Sequence, residues 1–237
     1  MLQPHLKIKK GDINKYCLLP GDPGRVLRII NYLNDVKKVS ENRGYLIFNG
    51  KYKGVPVTVC STGMGGPSIA IAIHELVNCG AKVLIRVGSC GALQPNLRTG
   101  DVIVPKGAVR SESTTCLYYP REHPAYPDND VLKALSVRGT YVGFTNSHDG
   151  FYHKGNDEMD KFWSKIGLLA SDFETAPLFI ISEYLGVKAG SILYVVSEFH
   201  KSKKLNISYA LKSSARALEG EARAIIIALN AIKKVEG

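Results

Sequence analysis

The stretch Val55-Pro-Val-Thr-Val-Cys-Ser-Thr-Gly-Met-Gly-Gly-Pro-Ser-Ile-Ala-Ile-Ala-Ile-His-Glu-Leu-Val-Asn-Cys-Gly80 reads as strand, glycine turn and helix in direct succession. Val55–Ser61 is short, apolar and β-branched, which predicts a strand. Gly63-Met-Gly-Gly66 breaks it, and Pro67 stands at a first helical position, where its missing N–H costs nothing. The helix runs to Cys79, and Gly80 is its natural stop. A strand that feeds a helix through such a loop is the building unit of an α/β fold, with free backbone N–H groups turned towards an anion.

Working outward, Tyr16–Pro20 predicts a short strand running into the turn Gly21-Asp-Pro-Gly24, with a helix over Arg25–Leu33. Tyr45–Asn49 and Val55–Ser61 flank Gly50-Lys-Tyr-Lys-Gly54 as a hairpin. Val83–Val87 has the near-continuous apolar character of a buried central strand and ends in Gly88-Ser-Cys-Gly91. Further strands are expected at Val102–Val104, Tyr141–Asn146 and Ser191–Val196, and helices over Asp157–Ile166, Glu174–Leu185 and Ile207–Lys234. The alternation predicts one α/β domain over residues 1–237, a helix-flanked parallel or mixed sheet. Ligands in such sheets sit beyond the carboxyl ends of the strands. Gly21, Gly63, Gly88 and Glu198 each follow a strand, so they are expected at one mouth.

The chain has 237 residues, 45% of them hydrophobic and 22% charged, an ordinary globular composition that excludes disorder and fibre. Apolar runs such as Ile69–Leu76 fall short of the roughly 18 residues of a membrane span. The polar start, Met1-Leu-Gln-Pro-His5, has no secretory apolar core, so a cytoplasmic location without membrane association is expected. Five scattered cysteines without a C-x-x-C pair speak against a disulfide framework or a metal site. Thirty-one basic against 21 acidic residues give +10, which calls for an acidic partner, whether nucleic acid, anionic surface or small phosphorylated molecule.

Two arginines narrow that choice. Arg25 directly follows Gly21-Asp-Pro-Gly24, and Arg86 interrupts an apolar strand two residues before Gly88. A guanidinium in a central strand is costly unless an anion or carboxylate meets it. With Ser89 and the glycine loops, the pair describes a phosphate site; Arg43 is either a third clamp or a solvated loop charge. The dinucleotide fingerprint is incomplete, because Ser68 stands where a third glycine belongs and no ribose-binding acid follows. The G-x-x-x-x-G-K-[ST] loop is absent.

Taken together, Ser61–Leu76, Gly21-Asp-Pro-Gly-Arg25, Asn42-Arg-Gly44, Ile85-Arg-Val-Gly-Ser-Cys-Gly91, Ser147-His-Asp-Gly-Phe-Tyr152 and Asp172-Phe-Glu174 resemble the trimeric and hexameric nucleoside phosphorylases. That family includes the purine nucleoside, uridine and methylthioadenosine phosphorylases. The resemblance implies a single-domain three-layer sandwich of nucleoside phosphorylase type, with a mixed, mostly parallel central sheet. It implies phosphorolysis of an N-glycosidic bond, without cofactor or metal and with inorganic phosphate as co-substrate. Gly21, Arg25, Arg86 and Ser89 would hold phosphate, and Arg43 would reach it from a neighbouring subunit of a dimer-based hexamer. Glu174 would accept from the ribose hydroxyls beside Met64, Asp172 and Phe173, while His5 would cap the 5′ end of a partner's nucleoside. Phe151 or Tyr152 would stack on the base, against the Cys90–Gly91 backbone.

The sequence departs from the pattern at several places. Purine-cleaving members carry Ser-Asp where Ser197-Glu198 stands, so Glu198 is a longer candidate for the acid or base-edge contact. A supporting arginine has no clear counterpart in His200-Lys-Ser-Lys-Lys-Leu-Asn206; Lys201, Lys203 or Lys204 is either its substitute or a solvated charge. Asp172-Phe-Glu174 replaces Glu-Met-Glu. The Gln and Arg of uridine-specific members are missing from His153-Lys-Gly-Asn-Asp-Glu158, which favours a purine nucleoside over uridine. A nucleosidase of the same fold, a catalytically impaired nucleoside-binding homologue and a nucleic-acid-binding protein are the alternatives. No RNA- or DNA-binding pattern accompanies the charge.

Overall fold

The computed structural model describes residues 1–199 and 215–236. Nine strands alternate with helices: β1 (Tyr16–Leu19), α1 (Pro23–Ile30), β2 (Asn34–Asn42), β3 (Tyr45–Tyr52), β4 (Val55–Cys60), α2 (Gly66–Cys79), β5 (Val83–Ala92) and β6 (Val102–Ser111) come first. After a 3₁₀ turn at Thr114–Leu117 follow α3 (Asn129–Leu135), β7 (Thr140–His148), α4 (Asn156–Ile166), β8 (Ala170–Asp172), α5 (Thr175–Tyr184), β9 (Lys188–Ser197) and α6 (Ala215–Glu236). The start of the expected helix over Ile207–Lys234, together with His200, Lys201, Lys203 and Lys204, lies outside the described residues.

The sheet order is β2-β3-β4-β1-β5-β8-β7-β6-β9, and β5 also pairs with β9. The last five strands therefore close into a ring, which the linear alternation did not show. The sheet is mixed: β1–β4, β1–β5, β5–β9, β6–β7 and β7–β8 run parallel, the rest antiparallel. β5 sits between β1 and β9 and is apolar on both faces as a central strand must be. Its alternation sends Leu84 into one core with Leu19, Ile73 and Phe179, under α2 and α5. Ile85 and Val87 go into the other with Val26, Ala224 and Ile225, under α1, α3 and α6. Those two cores make the three layers.

One sequence-level expectation changes, and one strand lies where none was expected. Gly88-Ser-Cys-Gly91 is not a loop but the second half of β5, because Gly88–Cys90 pair with Leu193–Val195 of β9. The strand β2 has no apolar alternation, being an exposed edge rich in Lys, Asp and Glu.

Both hairpins turn in two residues. Arg43 (φ 52) and Gly44 (φ 82) join β2 to β3; Lys53 (φ 48) and Gly54 (φ 87) join β3 to β4. Positive φ at both central positions is the type I′ turn, which favours Asn before Gly. Arg and Lys carry a Cβ penalty there that Asn largely escapes. Arg43→Asn and Lys53→Asn are each expected to stabilise the protein by about 1 kcal/mol in urea unfolding.

Candidate active site

The carboxyl ends of β1 and β4 meet beside the middle of β5. Thr62 N–H donates to Pro20 O (2.9 Å) and Gly63 N–H to Gly21 O (3.1 Å), drawing the first two glycine loops together. Leu19 of β1 lies in register with Arg86 of β5. Asp22 caps α1 through Gly24 N–H (2.8 Å), with Pro23 at its first turn, and this sets Arg25 on the helix face turned to β5. There Arg25 Nη1 donates to Val87 O at 3.1 Å, beside Gly88 and Ser89.

Arg86 points to the α5 side of β5 and is 3% exposed. Its Nε donates to Asp172 Oδ2 at 3.0 Å, and its Nη2 lies 2.7 Å from Glu174 Oε2. Burial alone would weaken the guanidinium's hold on its proton; Glu174 and Asp172 outweigh it. A Cβ on Gly88 would lie 2.5 Å from the guanidinium carbon, so only glycine lets Arg86 lie across the strand. Glu174 Oε1 accepts from Gly65 N–H at 2.5 Å, which sets the glycine loop and the exposed Met64 beside it. Burial, and Asp172 nearby, push the Glu174 carboxyl up despite Arg86.

Asp172 was expected at the ribose. It is instead a buried anchor: Ser147 Oγ donates to Oδ1 (2.7 Å), and Thr175 Oγ1 (2.6 Å) and Arg86 to Oδ2. The shorter aspartate is held down against Arg86 by these donors. Phe173 joins an edge-to-face aromatic cluster, 4.9 Å from His148 and 6.1 Å from Phe151, whose ring meets Tyr152 at 4.8 Å. Phe151 is 42% exposed and Tyr152 94%. Asn156 Nδ2 pins this loop by donating to Gly150 O and Phe151 O. Cys90 is buried, and burial pushes its thiol up. Gly91 pairs with Ser197, the residue before Glu198; Glu198 Oε1 accepts from Thr99 N–H and Oγ1 at 3.2 Å each.

His5 and Arg43 stand elsewhere. His5 Nδ1 is 2.6 Å from Glu75 Oε1 on α2, and Asn42 Nδ2 donates to His5 O at 2.6 Å. The two residues expected to serve a neighbouring subunit are thus held at adjoining places, with neither bonded to Arg25, Arg86 or Glu174 among the described residues.

Arg25 brings a correction to the charge argument. Its Nε donates to Glu221 Oε2 at 2.8 Å and its Nη2 to Tyr194 Oη at 2.6 Å. Both buried arginines are therefore met by carboxylates of the chain itself, and their burial alone demands no external anion. Three buried carboxylates (Asp172, Glu174, Glu221) face two buried guanidiniums. Sequence reasoning missed Glu221 and Glu75. Each lies on the apolar face of a helix, Glu221 with Ala217, Ala224 and Ala228, and a carboxylate there needs a donor.

Residues 15–229 match the family model of the phosphorylase superfamily. The chain belongs to that superfamily. It is 37% identical over 236 residues to a guanosine phosphorylase of Halorubrum lacusprofundi, across 97% of this chain and 98% of that one. A uridine phosphorylase of Thermococcus kodakarensis is 35% identical over 240 residues, 92% of this chain and 87% of its own. The solved uridine phosphorylase of Vibrio fischeri, complexed with 6-hydroxy-1-naphthoic acid, superposes with a TM-score of 0.90 at 37% identity, covering 98% of this chain and 96% of that one. This protein is a nucleoside phosphorylase. Among its described residues, no helix is long and apolar enough to cross a membrane.

Two outcomes follow from the phosphorylase site. Gly88→Ala forces Arg86 aside; it is expected to cost about 1–3 kcal/mol in unfolding and about a hundredfold in kcat/KM for phosphorolysis. Burial would raise the Glu221 carboxyl, but Arg28, Arg25 and Tyr194 together hold it down to about 2 from the ordinary 4.5. A carboxyl lowered on folding stabilises fully above its unfolded value and loses that contribution as pH falls towards its folded value. Acid unfolding of Glu221→Gln should lack the part of the pH dependence lying between about 4.5 and 2.

Proposed function

We propose that this phosphorylase cleaves purine nucleosides with inorganic phosphate, giving free base and ribose or deoxyribose 1-phosphate. The observation that carries the reading is the 2.7 Å contact of Arg86 with Glu174. It sets an anion-binding cation against a carboxylate able to accept from two neighbouring hydroxyls. Phosphate at Gly21, Arg25, Arg86 and Ser89 then lies next to a ribose at Glu174 and Met64. A phosphate oxygen attacks the anomeric carbon as the C1′–N bond breaks, and the bond's electron pair leaves with the base, which takes up a proton; the hydrogen phosphate, in becoming the sugar ester dianion, gives up the one that balances it. Holding both partners in line removes much of the entropic barrier. Phe151 and Tyr152, at the aromatic cluster of Phe173, stack on the base, Cys90 and Gly91 line it, and Glu198 meets its edge. Asp172 serves by holding Arg86 rather than by touching sugar. No cofactor or metal enters this scheme.

The purine preference rests on Glu198, one residue past the Ser197 that pairs with Gly91, and on His153–Glu158, which lacks the Gln and Arg expected of uridine-specific enzymes. The full-length similarity to a guanosine phosphorylase agrees with it. Uridine is the second reading, favoured by the similarity to uridine phosphorylases. Guanosine, inosine, adenosine, methylthioadenosine and uridine, each with and without phosphate, test both readings. Phosphate-dependent release of guanine or hypoxanthine ahead of uracil is the expected result; faster uracil release reverses the preference.

The buried charges of one chain sum to negative, so a phosphate dianion needs a further cation. Arg43 of a second copy, set in a strained turn beside His5, is the residue to supply it in a dimer-based hexamer. Arg43→Asn is expected to raise the phosphate KM by about tenfold or more, while Lys53→Asn leaves it unchanged. Mixing Arg43→Asn subunits with inactive Arg86→Ala subunits should restore part of the activity, because one mixed site then carries both arginines. Absence of any restoration would refute the shared site.

A further inference from the structure

Glu221 stands in the first turns of α6, 3% exposed, at the point where this helix meets β9 and the loop after β5. The approach is close: a Cβ on Gly220 would lie 2.5 Å from Gly100 O. From there Glu221 Oε2 receives Arg25 Nε at 2.8 Å and Tyr194 Oη at 2.7 Å. Tyr194 in turn accepts from Arg25 Nη2 at 2.6 Å, closing a three-membered set in which every group bonds the other two. Burial pushes the Tyr194 hydroxyl up to about 12, so it stays a donor to Glu221.

The set leaves a defined remainder. A guanidinium has five N–H bonds. Arg25 gives one to Glu221, one to Val87 O and one to Tyr194. One N–H on each terminal nitrogen is left, beside Gly88 and Ser89. Glu221 grips the Nε side and so presents the terminal nitrogens to the strand end. Its charge is shared, because Arg28 bonds the same carboxylate through Nε and, at 3.1 Å, through Nη2. The same Arg28 Nη2 also donates to Asp22 Oδ2 at 3.0 Å.

We propose that Glu221, with Tyr194, is a positioning residue that aims the two remaining N–H bonds of Arg25 at the phosphate. This rests on the reading of Arg25 as a phosphate ligand. It gives α6, which carries none of the expected site residues, a role in binding one of the two substrates only.

The test separates phosphate from nucleoside. Glu221→Gln and Tyr194→Phe are made in the full chain, and KM is measured for inorganic phosphate and for the best nucleoside of the panel. A rise of roughly tenfold in the phosphate KM for Glu221→Gln, smaller for Tyr194→Phe, with the nucleoside KM within about twofold, is expected. An unchanged phosphate KM, or both KM values rising together as a general loosening would cause, overturns the proposal. Should Glu221→Gln fail to fold, Tyr194→Phe alone decides by the same split. Arg25→Gln distinguishes the failures: if it leaves the phosphate KM unchanged, the reading of Arg25 itself falls, whereas a raised phosphate KM there with none in the other two variants sinks only the role of Glu221.

Discussion

A guanidinium buried in the closed ring of strands is the constraint around which this molecule is arranged. Arg86 cannot reach water, and leaving such a charge without partners costs several kcal/mol. The chain answers with Asp172 and Glu174, which places the end of β8 and the start of α5 against β5. Asp172 in turn needs Ser147 from β7 and Thr175 from α5, so four elements are tied to one cation. Gly88 follows from the same constraint, because the guanidinium fills the space of its side chain. The bond from Gly65 N–H to Glu174 extends the network to the loop before α2.

That network also makes the site rigid before any substrate arrives. Groups fixed by packing and by hydrogen bonds lose little entropy when a ligand binds, the general advantage of preorganisation. The parts left exposed are those that touch a ligand in the proposed scheme: Met64, Phe151, Tyr152 and Arg43. The buried carboxylates hold the arginines, and in the proposed scheme the exposed side chains join buried Glu174, Arg25 and Arg86 in recognition.

Much of this was legible beforehand. The strand–loop–helix at Val55–Gly80 and the arginine inside Val83–Val87 gave the fold class and the mouth, because local periodicity and glycine placement are written in neighbouring residues. The ring closure was not, since the β5–β9 pairing joins residues about a hundred apart with no local signal. The partners of Arg25 and Arg86 were open between anion and carboxylate, and only the fold could choose. The choice was nonetheless half written: Glu75 and Glu221 interrupt the apolar faces of α2 and α6 as Arg86 interrupts β5. A charge on an apolar face announces a partner without saying which.

The same reasoning revises the meaning of the net charge. The excess of ten positive charges first pointed to an acidic ligand, yet the cations at the mouth are matched by carboxylates of the chain. A pocket so compensated has little long-range pull on a dianion; short-range donors with fixed directions must do the binding. That suits phosphorolysis, where phosphate has to be released from its hydration and directed at one carbon without being held too tightly to react. In the proposed scheme the final increment of positive charge arrives only with a second copy's Arg43. Assembly and phosphate binding are then two faces of one electrostatic balance, and a lone protomer keeps a well-formed ribose site that binds its anion poorly.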